Sequence, residues 1–196
     1  MTDTQRKPFP PRVASHALLQ ALKAHLKRGG VIAYPTESCF GLGGLATHPQ
    51  AIRHIIRLKK RPQHKGLIVI GSDKGQFKRL IKPLSVEQTA TVNRYWPGPY
   101  TFLCPSTQRV LPSLRGQQNT TLAVRVDGHP IAHQLCHALQ TALISTSANF
   151  SGGVSCKTTR RTQALFGPDV MMVAGRIGAD PRPSTIFDLK TGKKLR

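Results

Sequence analysis

The sequence predicts a single α/β domain in which helices flank a twisted, open sheet with mostly parallel or mixed strands. Helical and strand-like apolar patterns alternate along the whole chain, which is typical of this class. Short β-branched runs bounded by Gly or Pro recur between the helical patterns. The length of 196 residues suits one domain, and no repeat or internal linker is apparent.

The helices are predicted from apolar spacing and from their end signals. Leu18, Leu22 and Leu26 recur at helical spacing between Ser15, a suitable N-cap, and Gly29, a suitable stop. The later helices end near Pro62, Pro97 or Gly167, and Pro130 stands near the start of one of them. The predicted helices are 15–30, 48–62, 85–96, 129–140 and 159–167.

The strands are predicted from short apolar runs that β-branched and aromatic residues dominate. "VIAYPT" is broken by Pro35, "GLIVIGS" is bounded by glycine, and "TLAVRVD" carries Arg125 inside an otherwise apolar run. The predicted strands are 31–36, 66–72, 100–105, 121–127, 142–146, 169–174 and 184–189. The polar, Pro-rich residues 1–13 are interpreted as a flexible leader, which leaves 14–196 as the domain.

The charge is strongly positive. The chain has 29 Lys+Arg against 8 Asp+Glu, for a formal net charge of +21. Such a field favours an anionic partner such as a nucleotide phosphate or a nucleic acid. The scattered acidic residues offer no carboxylate dyad for glycosidase chemistry and no acidic cluster that would hold Ca²⁺ or two metal ions.

The cysteines and the hydropathy indicate the compartment. Cys39, Cys104, Cys136 and Cys156 are far apart and form no CxxC pair, so no disulfide framework is predicted. No signal peptide and no membrane-length apolar run is present. We therefore predict a reduced, cytoplasmic protein without a membrane partner.

The familiar catalytic motifs are missing, and one histidine cluster is ambiguous. The sequence has no GxxxxGK[ST] and no GxSxG, and "GLGG" is a poor fragment of GxGxxG. His129, His133 and His137 are spaced by four residues, so two of them share a helix face that could bind Zn²⁺. Because no further ligand completes a zinc set, an ordinary helix face is favoured and no metal site is predicted.

Four stretches lie at element edges, where ligands bind in open α/β sheets. They are "YPTESCFGLG", "LKKRP", "LAVRVDGHP" and "LISTSANFSGG". Cations suited to phosphate stand beside neutral hydroxyls and amides suited to a small polar molecule. Structural alternatives exist for each stretch: a turn cap at Thr36, a solvated end of the helix, a turn and a helix cap in the Ser/Asn run, and an ion pair of Arg125 with Glu37 or Asp127.

Six motifs in a fixed order resemble the YrdC-like family of threonylcarbamoyl-AMP synthases. They are "YPTES-x-x-GLG", "K-x-R-P-x-x-K-G-L-I", "W-P-G-P-x-T", "LAVRV-x-x-H-P", "STSAN-x-SG" and "STI", and the resemblance covers about residues 14–190. The length resembles the short bacterial form. Gly66 stands where many relatives have Pro.

The resemblance implies a reaction and its participants. The amine of L-threonine captures bicarbonate or CO₂ as a carbamate, whose oxygen attacks the α-phosphate of ATP and releases pyrophosphate. The product would be L-threonylcarbamoyladenylate, the precursor of the tRNA modification N6-threonylcarbamoyladenosine. Mg²⁺ would be carried with ATP, no tightly bound cofactor is expected, and a downstream threonylcarbamoyl-transferase complex would take the product to tRNA.

The resemblance also implies site residues. Gly41 and Gly43 would allow close approach of the backbone. Lys59, Arg61 and Arg125 would be catalytic, with Arg125 binding the threonine carboxylate. The implied ATP ligands are Lys59, Arg61, Ser147, Asn149, Ser184 and Thr185, and the implied threonine ligands are Thr36, Lys65, Arg125 and Ser145.

An alternative function follows from the charge alone. A basic surface could make the chain an RNA-binding module for double-stranded RNA, tRNA or rRNA, without catalysis of its own. The aromatic content is only 6% with a single Trp, which is poor in stacking platforms for bases and favours the enzyme.

Overall fold

The computed structural model describes residues 15–62, 64–180 and 182–196. The predicted leader at 1–13 lies outside the described residues. The helices are α1 (His16–Lys27), α2 (Pro49–Lys59), α3 (Val86–Tyr95), α4 (Pro112–Arg115), α5 (Pro130–Leu139) and α6 (Thr159–Phe166). The strands are β1 (Ile32–Pro35), β2 (Phe40–Gly43), β3 (Ile68–Gly71), β4 (Tyr100–Pro105), β5 (Thr121–Val126), β6 (Leu143–Ser147), β7 (Met171–Met172) and β8 (Thr185–Asp188).

All predicted elements are present, and the structure adds three that the sequence analysis missed. Strand β2 was interpreted only as a ligand-binding loop, because two of its four residues are glycines and give no strand signal. Helix α4 and a 3₁₀ turn at Lys74–Phe77 are each only four residues long, which is too short for a periodic pattern.

The ends of the helices follow the predicted capping chemistry. The Ser15 hydroxyl accepts a hydrogen bond from the Leu18 amide at 3.3 Å. Helix α2 ends at Lys59, and the C-cap residue Lys60 has a φ of 48°, which places it in the left-handed region and turns the chain sharply. After that turn the two cations have different partners: Lys59 donates to carbonyls at the end of β6, whereas Arg61 donates to the carbonyls of Lys65 and Gly66.

The sheet has eight strands in the order β7-β1-β2-β6-β3-β5-β4-β8. The prediction of a mixed sheet is confirmed, but a mostly parallel one is wrong. Four strand pairs are antiparallel and three are parallel. The unpredicted strand β2 accounts for part of this difference, because it runs antiparallel to both β1 and β6.

Side-chain alternation divides the core between the two faces of the sheet. On the first face, Ile32, Tyr34, Ile70 and Leu143 pack with the apolar sides of α1 and α5. On the second face, Ala33, Val69, Val124 and Ile144 pack with residues that include Ile52 and Ile55 of α2. Covering both faces buries the sheet as expected for an α/β domain. None of the helices in the described ranges has the length and hydrophobicity that crossing a bilayer requires.

Gly43 tests how closely β2 packs against Tyr34 and Ile144. A Cβ at this position would lie 2.6 Å from Tyr34 Cε1 and 2.8 Å from the Ile144 carbonyl oxygen. Because Tyr34 is fully buried and Ile144 is held in the sheet, neither atom can move freely. We expect Gly43→Ala to lower the free energy of unfolding by about 2 kcal/mol.

The measurement is urea denaturation, with Gly153→Ala as the control. Gly153 lies in an exposed loop, where a Cβ would meet the Phe150 carbonyl oxygen at 3.2 Å and its carbonyl carbon at 4.0 Å. The control should change the free energy of unfolding by less than about 0.5 kcal/mol. Equal stability of the two variants would contradict the packing described for β2.

Candidate active site

One cavity lies over the first face of the sheet. Strand register places Gly41, Ser145, Ile68 and Arg125 on the same face as Tyr34 and Ile70, beyond the area that α1 and α5 cover. The cavity has a volume of about 370 Å³. Its lining is rich in hydroxyls and cations: Thr36, Glu37, Ser38, Cys39, Gly41, Arg61, Ile68, Pro99, Arg125, Ser145, Thr146, Ser147, Val154, Ser155, Lys157, Arg182, Pro183, Ser184 and Arg196.

Three guanidinium groups crowd one another in this cavity. Burial, and after it the nearby Arg196, lowers the pKa of Arg61. Burial, and after it the nearby Arg125, lowers the pKa of Arg196. Both pKa values are lowered, because burial disfavours the charged form of a guanidinium and a nearby like charge disfavours it further. An anion placed among the three side chains would relieve this repulsion.

Arg125 has a carboxylate partner inside the protein. Its Nη2 donates to Asp127 Oδ2, and the other Asp127 oxygen accepts from the His129 amide at 2.9 Å. Asp127 is fully buried and Arg125 is only 8% exposed, while the Arg125 Nε has no hydrogen-bond partner among the described residues. Of the two ion pairs considered from the sequence, the Asp127 pair is therefore the one that forms.

Lys59 is held by the protein and does not line the cavity. Its ammonium donates to the Ser147 carbonyl, to the Asn149 carbonyl at 2.8 Å and to Asn149 Oδ1 at 3.0 Å. An ammonium has three donors, and all three are used. Burial, and after it Arg61, lowers the pKa of Lys59 to about 8. The geometry supports Lys59 as the residue that positions the end of β6.

Asn149 likewise serves the loop after β6. Its Oδ1 accepts from Lys59 and from the Ser147 hydroxyl, the latter at 2.6 Å. Its Nδ2 donates to the carbonyls of Phe150 and Gly153 at 2.9 and 2.6 Å. The amide thus closes a tight loop, and the structural alternative considered for the Ser/Asn run describes what this side chain does here.

The turn between β1 and β2 forms another wall. The Thr36 hydroxyl donates to the Cys39 carbonyl at 2.8 Å, so Thr36 does stabilise a turn, and it also lines the cavity. A Cβ on Gly41 would lie 3.2 Å from Thr36 Cγ2 and 3.4 Å from Ser145 Oγ. The glycine at this position therefore keeps the cavity floor open between Thr36 and Ser145.

Six of the ten site residues predicted from the sequence line the cavity and four do not. Thr36, Arg61, Arg125, Ser145, Ser147 and Ser184 line it. The four others lie outside the lining. Besides Lys59 and Asn149, these are Lys65, which is exposed and contributes a carbonyl to Arg61 Nε at 3.1 Å, and Thr185, which lies in β8 opposite Tyr100.

Three cations at the cavity were missed. Lys157 and Arg182 line it, and Arg182 pairs with Asp180 at 3.0 Å. Arg196 lines it and donates to the Ser184 carbonyl at 3.0 Å, because the last residues fold back along β8. The local sequence around Arg196 carries no motif, so only its position beside Ser184 in the fold reveals it.

Within 15–62, 64–180 and 182–196, no three or more His, Cys, Asp or Glu side chains are grouped to hold a metal ion. His129 is buried and its Nε2 lies 3.1 Å from the Arg176 carbonyl, so this histidine packs against the segment after β7. Glu37 is the one carboxylate among the described residues that line the cavity.

A family model described as "Telomere recombination", for the Sua5/YciO/YrdC domain, matches residues 24–196. The chain belongs to this family. Two relatives called threonylcarbamoyl-AMP synthase agree closely with it. The one from Chromobacterium violaceum is 50% identical over 95% of this chain and 96% of the relative. The one from Neisseria meningitidis serogroup A is 48% identical over 95% of this chain and 98% of the relative.

A solved structure shares the fold. The crystal structure of P. abyssi Sua5 complexed with L-threonine superposes with a TM-score of 0.83 at 27% sequence identity. The match covers 92% of this chain but only 53% of the Sua5 chain, so this chain spans about half the length of that relative. The recognised family and the predicted fold are thereby confirmed.

The hydrogen bonds of Lys59 predict that this side chain stabilises the fold. Lys59→Met keeps the length and the apolar stem but removes the donors to Ser147 and Asn149. Since buried acceptors are left without partners, we expect the free energy of unfolding to fall by about 2–3 kcal/mol. The control is Lys60→Met, an exposed neighbour that should change it by less than about 0.5 kcal/mol.

The pH dependence of the same pair is a second measurement. Because the pKa of Lys59 is lowered to about 8 in the folded chain, the unfolded chain binds more protons between pH 8 and the ordinary pKa of a lysine. The wild type should therefore gain stability relative to Lys59→Met as pH rises above 8. A difference that stays constant with pH would contradict the lowered pKa of Lys59.

Proposed function

We propose that the chain is a nucleotidyltransferase that makes L-threonylcarbamoyladenylate and pyrophosphate from L-threonine, bicarbonate or CO₂, and ATP. The observation that carries this proposal is the cavity, in which Arg61, Arg125 and Arg196 converge beside neutral hydroxyls. The names of the relatives from C. violaceum and N. meningitidis, and the L-threonine in the complex of P. abyssi Sua5, support the same conclusion.

Arg61 and Arg196 suit the triphosphate. Neither has an acidic partner among the described residues, and their shared repulsion favours an anion between them. Attack on the α-phosphate forms one P–O bond to the carbamate and breaks the P–O bond to pyrophosphate. Transfer of this kind needs in-line positioning and stabilisation of charge on oxygen more than it needs a protein nucleophile.

Arg125 and the hydroxyls suit the amino acid. Arg125 retains donors beyond its bond to Asp127, and a guanidinium can bind a carboxylate through two parallel hydrogen bonds. Thr36 and Ser145 lie on the same side of the cavity, where Gly41 leaves space between them. We infer that threonine and its carbamate lie there and that the nucleotide lies toward Arg61.

Mg²⁺ is expected to arrive with ATP and to be carried mainly by the phosphates. The cavity offers Glu37 as its one carboxylate among the described residues, which fits a magnesium ion that keeps most of its water and phosphate ligands. Bound Mg²⁺ would neutralise charge on the triphosphate. Glu37 lies against Gly128 and Gly178, so its carboxylate is restricted in position.

We also propose a compartment and a downstream partner for the protein. All four cysteines are free and buried, as suits a reducing compartment, and we place the chain in the cytoplasm. A labile adenylate needs a prompt acceptor, so a downstream threonylcarbamoyl-transferase complex for tRNA is the expected partner. The alternative of an RNA-binding module without catalysis has no support from the names of the relatives.

The test is release of pyrophosphate with ATP, Mg²⁺, bicarbonate and L-threonine, with each component omitted in turn. We expect release to require all four, because the carbamate forms only from the amine and bicarbonate or CO₂. Formation of L-threonylcarbamoyladenylate should match pyrophosphate release in amount. Release that persists without threonine would contradict the proposed substrate.

Arg61→Gln tests the assignment of the phosphates. Losing a charged hydrogen-bond donor to an anion costs about 1.5–3 kcal/mol, so we expect the KM for ATP to rise about tenfold or more. The KM for threonine should stay within about twofold. Arg94→Gln, an exposed change in α3 outside the cavity, is the control. An unchanged KM for ATP would remove Arg61 from the nucleotide site.

A further inference from the structure

A row of three concavities lies at the opposite end of β6 from the cavity described above. Thr141 and Ala142, which precede β6, belong to the row, whereas Ser145 and Ser147 further along β6 line the cavity. The three concavities have volumes of about 360, 410 and 390 Å³ in order from α1 to α3. The row and the cavity share no lining residue, so the proposed reaction uses none of these side chains.

The three concavities are continuous with one another. Thr141 lines both the first and the middle one, and Gly75 and Lys78 line both the middle and the last one. We call this continuous surface the lysine groove, and it is lined by residues from 23–27, 45–47, 74–84, 89, 96 and 139–142. One groove therefore joins α1, the 3₁₀ turn at Lys74–Phe77 and α3 across the start of β6.

The two ends of the lysine groove are apolar, and its middle is polar. The apolar side chains are Leu26, Leu45 and Leu139 at the α1 end, and Ile81, Pro83, Leu84 and Trp96 at the α3 end. The indole N–H of Trp96 already donates to the Tyr100 carbonyl at 2.8 Å, so this ring offers the groove only apolar surface. The middle carries the hydroxyls of Thr47 and Thr141 and the amide of Gln140. Apolar concavities that are rimmed by polar groups are typical of interaction surfaces.

Positive charge follows the whole groove without a matching acid. Its cations are Lys23, Lys27, Lys74, Lys78, Arg79 and Lys82, and no Asp or Glu of the described residues lines it. Within the described part of the chain none of the six forms an ion pair, and only Lys74 has a side-chain hydrogen bond, at 3.3 Å to the neutral Asn93 Oδ1. Asp73 is adjacent in the chain, but it caps the 3₁₀ turn by accepting from the Gly75 amide at 2.7 Å. An acidic ligand would therefore find cations free to pair with it.

The frame of the groove is fixed before a ligand binds. Gln76 Nε2 donates to the Cys136 carbonyl at 2.9 Å, and Gln76 Oε1 accepts from the Ser72 amide at 3.0 Å. These bonds tie the 3₁₀ turn to α5 and to the end of β3. Trp96 packs edge-on against Phe102, with 5.6 Å between the ring centroids. A surface that is already formed reduces the cost of ordering the protein when a ligand binds.

The shape and the chemistry of the lysine groove select one class of ligand. A small anion would fill one concavity and leave the other two open. A nucleic acid would bring its phosphates against the apolar ends, where leucine and isoleucine side chains offer its bases no stacking platform. An extended polypeptide carries side chains at regular intervals along a hydrogen-bonding backbone, so it can place apolar groups at both ends and carboxylates between them.

We propose that the lysine groove docks an extended, acidic segment of a partner protein that carries a large apolar side chain toward each of its ends. The two apolar side chains would fill the end concavities, and the carboxylates between them would pair with the lysines. The hydroxyls and the amide in the middle would bond to the backbone of the segment. The proposal does not rest on the proposed function, and docking there leaves the cavity open to its substrates.

The experiment measures binding of fluorescently labelled, glutamate-rich peptides to the full chain by anisotropy. Each peptide carries two leucines separated by about four to eight residues, so that at about 3.3 Å per residue at least one peptide spans the middle concavity. We expect that peptide to bind saturably. Replacing both of its leucines by serine should weaken binding at least about tenfold, because the apolar ends of the groove lose their contacts.

A double variant of the chain tests the charges. Lys78→Gln with Lys82→Gln should bind the leucine peptide about tenfold more weakly than Arg94→Gln with Arg109→Gln, which removes the same charge from exposed sites outside the groove. The midpoints of urea denaturation of both double variants should equal that of the wild type, so that lost affinity does not reflect lost folding.

Four results would overturn the proposal. The first two are the absence of saturable binding at every leucine spacing and equal affinity of the two double variants. The third is equal affinity for the serine and leucine peptides, which would reduce the groove to a surface for any polyanion. The fourth is a loss of affinity for labelled tRNA in the lysine double variant as large as its loss for the peptide, which would make nucleic acid the ligand.

Discussion

The arrangement of the site depends on the buried ammonium of Lys59. This side chain, only 1% exposed, ties the end of α2 to the end of β6 through carbonyls of Ser147 and Asn149. The two segments are far apart in the sequence, and a hydrogen bond of 2.8 Å from the Ser151 amide to the Lys59 carbonyl also joins them. Arg61 follows Lys59 by two positions, and Ser145 lies on β6. This contact therefore helps to place the Arg61 guanidinium and the Ser145 hydroxyl in the same cavity.

Positive charge is distributed in two different ways on this molecule. In the cavity, partly buried guanidinium groups stand close together, and burial makes their mutual repulsion stronger than it would be in water. Along α2, by contrast, Arg53 and Arg57 are exposed and lie one helical turn apart. The arrangement in the cavity suits one compact, highly charged ligand.

Neutral hydroxyls line the cavity beside the cations. Ser147 and Ser184 are both held by hydrogen bonds to neighbouring side chains, so their positions are set before any ligand arrives. Such preorganised groups position substrates without forming covalent intermediates. A site built from fixed donors and crowded cations is therefore suited to adenylate formation, in which the chemistry resides in the ATP and the carbamate.

The sequence by itself determined the α/β class, the order of the long elements, the excess of positive charge and the family. These properties reside in local periodicity, in turn residues, in total charge and in ordered motifs. The tertiary structure alone decided that β2 is a strand, that Lys59 and Asn149 hold a loop, and that Arg196 reaches the cavity. The physical reason is that the availability of a side chain depends on its contacts: Lys59 and Ser147 are separated by 88 positions, and no local pattern records that the donors of Lys59 are already used.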